Sequence, residues 1–111
     1  DKPIIDETQA VDGLRISGDP QVVMIGDTYV MFYFSAIASG GAYNTFAVSK
    51  DLLNWQPWDG EPLIKSENEW ENVFAHKSYV LKHEGIVYHF YCAVNDKKER
   101  FIALATSEKL N

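Results

Sequence analysis

The stretch from Val22 to Leu52 returns as Val80 to Leu110, at a constant offset of 58 positions and without a gap. Val22, Phe32, Tyr33, Ala47, Ser49 and Leu52 recur as Val80, Phe90, Tyr91, Ala105, Ser107 and Leu110, while Val23 and Phe46 return as Leu81 and Leu104. A repeat of this period marks a supersecondary unit that cannot bury its apolar face alone. Two such units in 111 residues therefore predict a piece of a larger stack.

Each unit reads as β-structure, because short runs of β-branched and aromatic residues alternate with Gly, Asp and Asn and no helical period is sustained. In the first unit, Gln21 to Ile25 and Thr28 to Ser35 flank Gly26-Asp27, a hairpin-turn pair. A loop around Ser39-Gly40-Gly41 leads to a third strand from Tyr43 to Ser49. The polar turn from Ser49 to Trp55 then delivers an edge-like segment ending near Leu63-Ile64. The second unit repeats the plan with Ser78 to Lys82, a turn at His83-Glu84-Gly85, Ile86 to Val94, a charged turn and Arg100 to Ser107. The middle strands, Tyr29 to Phe34 and Val87 to Cys92, hardly alternate in polarity, as expected of strands covered on both faces. That pattern predicts an all-β fold of two four-stranded antiparallel blades of a β-propeller, blade one over about 16–65 and blade two over about 74–111. A single β-sandwich of about seven strands is the alternative.

Composition narrows the function classes. Asp and Glu outnumber Lys and Arg, 16 to 10, for a formal charge of -6, and no basic face exists to meet phosphates. Nucleic acid is not an expected partner, and neither is a membrane, since no apolar run reaches spanning length. The lone Cys92 has no intrachain mate, so no disulfide framework is expected. Asp1 in place of an initiator methionine leads to the expectation that the chain continues upstream, with any export signal there.

The segments Ser17-Gly18-Asp19-Pro20-Gln21-Val22-Val23, Gly26-Asp27-Thr28-Tyr29-Val30-Met31-Phe32-Tyr33 and Ser49-Lys50-Asp51-Leu52-Leu53-Asn54-Trp55 resemble the blade pattern of the five-bladed β-propeller glycosidases. That superfamily includes the arabinanases and xylosidases of glycoside hydrolase family 43, and the invertases. Ala75 to Val80, Tyr88 to Val94 and Ile102 to Ser107 resemble its last blade. The resemblance implies hydrolysis of a glycosidic bond in a poly- or oligosaccharide, with acidic groups around the central axis, in a bacterial periplasmic or secreted setting; no residue pattern leads to the expectation of a cofactor or metal. Five blades of about 60 residues need about 300. The remaining blades, or another copy of the chain, are therefore expected partners.

Asp19 matches the position at which the resembled family places a functional aspartate, at the start of an innermost strand. A carboxylate there can act as a general base that activates water or as an electrostatic partner of the true acid; an aspartate before proline is also an ordinary turn former. His76, expected on a loop, falls near the corresponding place in the second unit and can exchange protons near neutral pH or bind a sugar hydroxyl. Lys77 aligns with Asp19 itself under the offset. Trp70 and Glu71 lie in an acidic loop with Glu67 and Glu69, where an indole can stack on a sugar ring and a carboxylate can supply the second acid group. These residues also suit a non-catalytic carbohydrate-binding module, the second functional reading. His76, His83 and His89 are too far apart in sequence for a short metal-ligand pair.

Overall fold

The computed structural model describes residues 4–5, 14–37, 41–65 and 73–108. Among them are seven strands and no helix: β1 (Leu14–Ile25), β2 (Thr28–Ile37), β3 (Ala42–Ser49), β4 (Gln56–Pro57), β5 (Phe74–His83), β6 (Ile86–Val94) and β7 (Arg100–Thr106). Within each unit neighbouring strands pair antiparallel, in the orders β1-β2-β3-β4 and β5-β6-β7. Among the described residues the ladder joins the two units only at the parallel pair Ala42↔Phe74.

The repeat is carried in the registers. Val22↔Met31 in the first unit becomes Val80↔His89 in the second, and Phe32↔Phe46 becomes Phe90↔Leu104. Both hairpins turn in two residues by different chemistry. Gly26-Asp27 has positive φ only at the glycine, whereas Glu84-Gly85 has φ of 50° and 81°, as a type I′ turn requires. The expected three-residue turn at His83 is one residue shorter, because His83 pairs with Ile86.

Several boundaries differ from the sequence expectation. β1 and β5 begin upstream of Gln21 and Ser78, because each passes through a β-bulge: the registers jump between Gly18 and Gln21 and between His76 and Tyr79. The polar residues there that read as a loop are extended chain, and His76 lies within β5. The fourth segment of the first unit is interrupted. Gln56–Pro57 pairs with β3, Trp58 N–H donates to Phe46 O, and pairing resumes where Asn44 and Ile64 bridge. Pro57 and Pro62 lack the N–H that a continuous ladder needs.

Two small cores form on equivalent faces. Tyr33 and Ala47 pack with Trp55 in the first unit, and Ala75, Tyr91 and Ala93 pack with Ile64 in the second. The units meet face to face: Phe32 of β2 touches His89 of β6, ring centroids 6.0 Å apart, and Ile64 of the first unit lies on the second unit's core. β2 is accordingly buried or half-buried from Thr28 to Ala36. β6 departs from the expectation of cover on both sides. The row Tyr79↔Phe90↔Leu104, with Leu81 and Ile102 on the same face, is exposed, since nothing among the described residues stacks on it as the second unit stacks on Phe32.

Candidate active site

The bulges place Asp19 and Lys77. In β1, Asp19 and Pro20 stand opposite the single residue Tyr33; in β5, Lys77 and Ser78 stand opposite Tyr91. The first residue of each pair is left-handed, φ 52° at Asp19 and 55° at Lys77. That conformation costs a non-glycine residue about 1–2 kcal/mol, and it recurs at one point of the repeat despite an acid in one unit and a base in the other. Asp19 thus lies inside β1 at the bulge, six residues into the strand's span, rather than at its start. Both side chains are exposed, and among the described residues no ion pair joins them.

His76 is the neighbour of both. It is only 7% exposed, because its ring meets Phe34 edge-on at 5.2 Å and tilts against Phe74 at 5.1 Å. Its Nδ1 lies 3.3 Å from Cys92 O, so that nitrogen carries the proton and donates it to the carbonyl. Burial lowers its proton affinity; the Cys92 contact and the Asp19 charge oppose this, while Lys77 and Arg100 add to it. His76 is therefore neutral at pH 7 and sits in the combined field of Asp19, Lys77 and Arg100. Arg100 opens β7 opposite Val94 and has no counterpart in the first unit, where the offset leads to Ala42.

Packing accounts for the departure of the repeat at Gly18 and His76. A Cβ at Gly18 would come within 3.0 Å of the Phe34 ring, so a larger residue would push that ring from its contact with His76 of the second unit. Beside the same bulge lies a cavity of about 310 Å³ bordered by Ser17, Gly18, Pro20, Met31 and Tyr33. Trp70 and Glu71 lie outside the described residues. The structure thus brings together Asp19, His76 and Lys77, and adds Arg100, whose only mark in the sequence was its place at the end of a charged turn. Among the described residues no three His, Cys, Asp or Glu side chains are grouped to hold a metal ion.

No family model and no curated protein matches the chain. Solved structures do. A complex of BT0996 with RGII is 51% identical over 91% of this chain with a TM-score of 0.81, and a structure described as "Glycoside hydrolase" is 51% identical over 91% with a TM-score of 0.80. This chain covers 29% of each of them. A thermostable family-43 glycoside hydrolase shares the fold, at 20% identity over 85% of this chain and 30% of its own, with a TM-score of 0.59. Half of the aligned residues are thus shared across nearly the whole chain, in a fold that reaches family 43, and the chain belongs to the glycoside hydrolases as a segment spanning 29% of the length of those two relatives.

Proposed function

We propose that the chain is a two-blade portion of a five-bladed propeller glycoside hydrolase that cleaves a glycosidic bond in a poly- or oligosaccharide by acid/base hydrolysis. The observation that carries this reading is the 51% identity, over 91% of the chain, to a solved glycoside hydrolase. The propeller part is supported by the face-to-face stacking of two units with one register. It is supported too by the uncovered face of β5–β7, which a further unit would cover as the second unit covers the first.

In this reading Asp19 is an axial carboxylate that activates water or stabilises the developing positive charge at the sugar's anomeric carbon. Lys77, with its side chain held out by the equivalent bulge, binds a substrate oxygen. His76, neutral and enclosed by Phe34 and Phe74, accepts or orients a hydroxyl through Nε2 rather than acting as a cationic acid. Trp70 and Glu71 take part in substrate binding, and the remaining blades supply the second carboxyl group.

The test is Asp19→Asn in the complete protein, assayed first on RGII, which the relative's structure names. Turnover should fall by at least a hundredfold, with the unfolding free energy kept within about 1 kcal/mol of the parent's. Hydrolysis near the parent rate would overturn the role of Asp19.

A further inference from the structure

Two tryptophans three residues apart are used in opposite ways. Trp55 is 9% exposed and packs in the core with Tyr33 and Ala47, its indole N–H donating to Leu52 O at 3.0 Å. Trp58 is 45% exposed, yet its ring is fixed as firmly. It stacks on Phe46 with centroids 5.3 Å apart and planes 17° from parallel. Its backbone N–H donates to Phe46 O at 2.9 Å, and its indole N–H donates to Glu61 O at 2.9 Å. A Cβ at Gly60 would collide with ring atoms Cζ2 and Cε2, so only glycine lets the chain pass that close to the indole.

An exposed indole forgoes hydrophobic stabilisation that burial would give. Ordering it in advance lowers the entropy that a ligand would otherwise lose on binding. Asp59 and Glu61, one and three residues on, are both exposed, with Lys65 Nζ 3.0 Å from Glu61 Oε2. A half-exposed, ordered aromatic ring with exposed acceptors close by in the chain fits a ring with an apolar C–H face and a rim of hydroxyl donors. The local acidic excess disfavours an anionic one.

We infer that Trp58 is a surface binding site for an uncharged pyranose unit of a polysaccharide, stacked on the indole with its hydroxyls donating to Asp59 and Glu61. This rests on the carbohydrate reading above but not on its catalytic part. Trp58 follows β4 at the outer edge of the first unit, while Asp19 is on β1, three strand spacings or about 14 Å further in. The site would hold a polymer near the enzyme rather than contribute to bond cleavage.

The test is affinity electrophoresis of the 111-residue chain through gels containing arabinoxylan, galactomannan or mixed-linkage β-glucan, with polygalacturonate as the anionic contrast. At least one neutral polymer should retard the chain, and polygalacturonate should not. Trp58→Ala should weaken that retardation at least tenfold. Trp58→Phe, which keeps a ring on Phe46, should weaken it by less and guards against a folding defect in the alanine variant. Asp19→Asn should leave it unchanged, which separates this site from the catalytic proposal. Failure of all three neutral polymers to retard the chain, preference for polygalacturonate, or full retention by Trp58→Phe and Trp58→Ala alike would overturn it.

Discussion

The side chain of Gln21 pairs with the backbone of Val80 as a strand would: Nε2 donates to Val80 O, and Val80 N–H donates to Oε1, each at 2.6 Å. One side-chain amide thereby occupies an edge of β5 and ties β1 of the first unit to β5 of the second. Under the offset Gln21 corresponds to Tyr79, so the lock is a departure from the repeat.

Replacing Gln21 with Leu should therefore cost about 2 kcal/mol, since a part-buried N–H and C=O lose their partners together. Gln21→Glu should cost at least as much, because a carboxylate would face the Val80 carbonyl. Urea denaturation reads this as a lower midpoint at unchanged slope. An unmoved midpoint would mean that water satisfies Val80 equally well.

His89 makes folding pH-dependent. It is buried between Phe32 and Tyr91, its Nε2 has no partner among the described residues, and burial lowers its pKa from 6.5 to about 4. The unfolded chain then binds more protons than the folded one between those values, so stability is full above about pH 6.5 and declines as pH falls toward 4. The loss over that window is on the order of 3 kcal/mol, and His76, shifted the same way, adds to it. The equivalent residue in the first unit is Met31. His89→Met should flatten the profile of unfolding free energy between pH 4 and 6.5 and raise stability at pH 5; a profile as steep as the parent's would exclude His89 as its source.

The left-handed residues should respond oppositely to glycine and to a β-branched side chain. Lys77→Gly should stabilise by about 0.5 kcal/mol, while Lys77→Val should destabilise by more than about 1 kcal/mol. Thermal unfolding distinguishes them, and equal effects would show that the bulge relaxes. In the complete protein Lys77→Gly should weaken substrate binding despite the gain in stability, as expected where strain holds a functional side chain.

The uncovered face of β5–β7 should make the isolated chain associate. Ile102 is 86% exposed, and Tyr79, Phe90 and Leu104 extend the patch, a kind of surface that promotes self-association. The double change Ile102→Lys with Leu104→Lys should lower light scattering at high concentration while moving stability by only about 0.5 kcal/mol. Scattering equal to the parent's would place association elsewhere.

Much of this architecture was legible in the sequence, because hairpin turns and cross-strand pairing are local. Gly26-Asp27 and Glu84-Gly85 mark their turns, and the offset between Phe32-Tyr33 and Phe90-Tyr91 becomes the register. The bulges were not legible, since Asp19-Pro20 reads equally well as a turn and nothing in Lys77-Ser78 announces an extra residue. His76 looked like a polar loop residue because its enclosure by Phe34 and Phe74 depends on a ring contributed by the other unit. Trp55 and Trp58 illustrate the same limit at three residues' distance: their sequence surroundings are alike, and only packing sends one into the core and holds the other to solvent. Short-range backbone preference and periodic apolar residues were enough to set the strands, their turns and the doubled plan. Which faces are covered, which side chains share one electric field and where the backbone is strained emerge only on folding, because each depends on atoms that lie far apart along the chain.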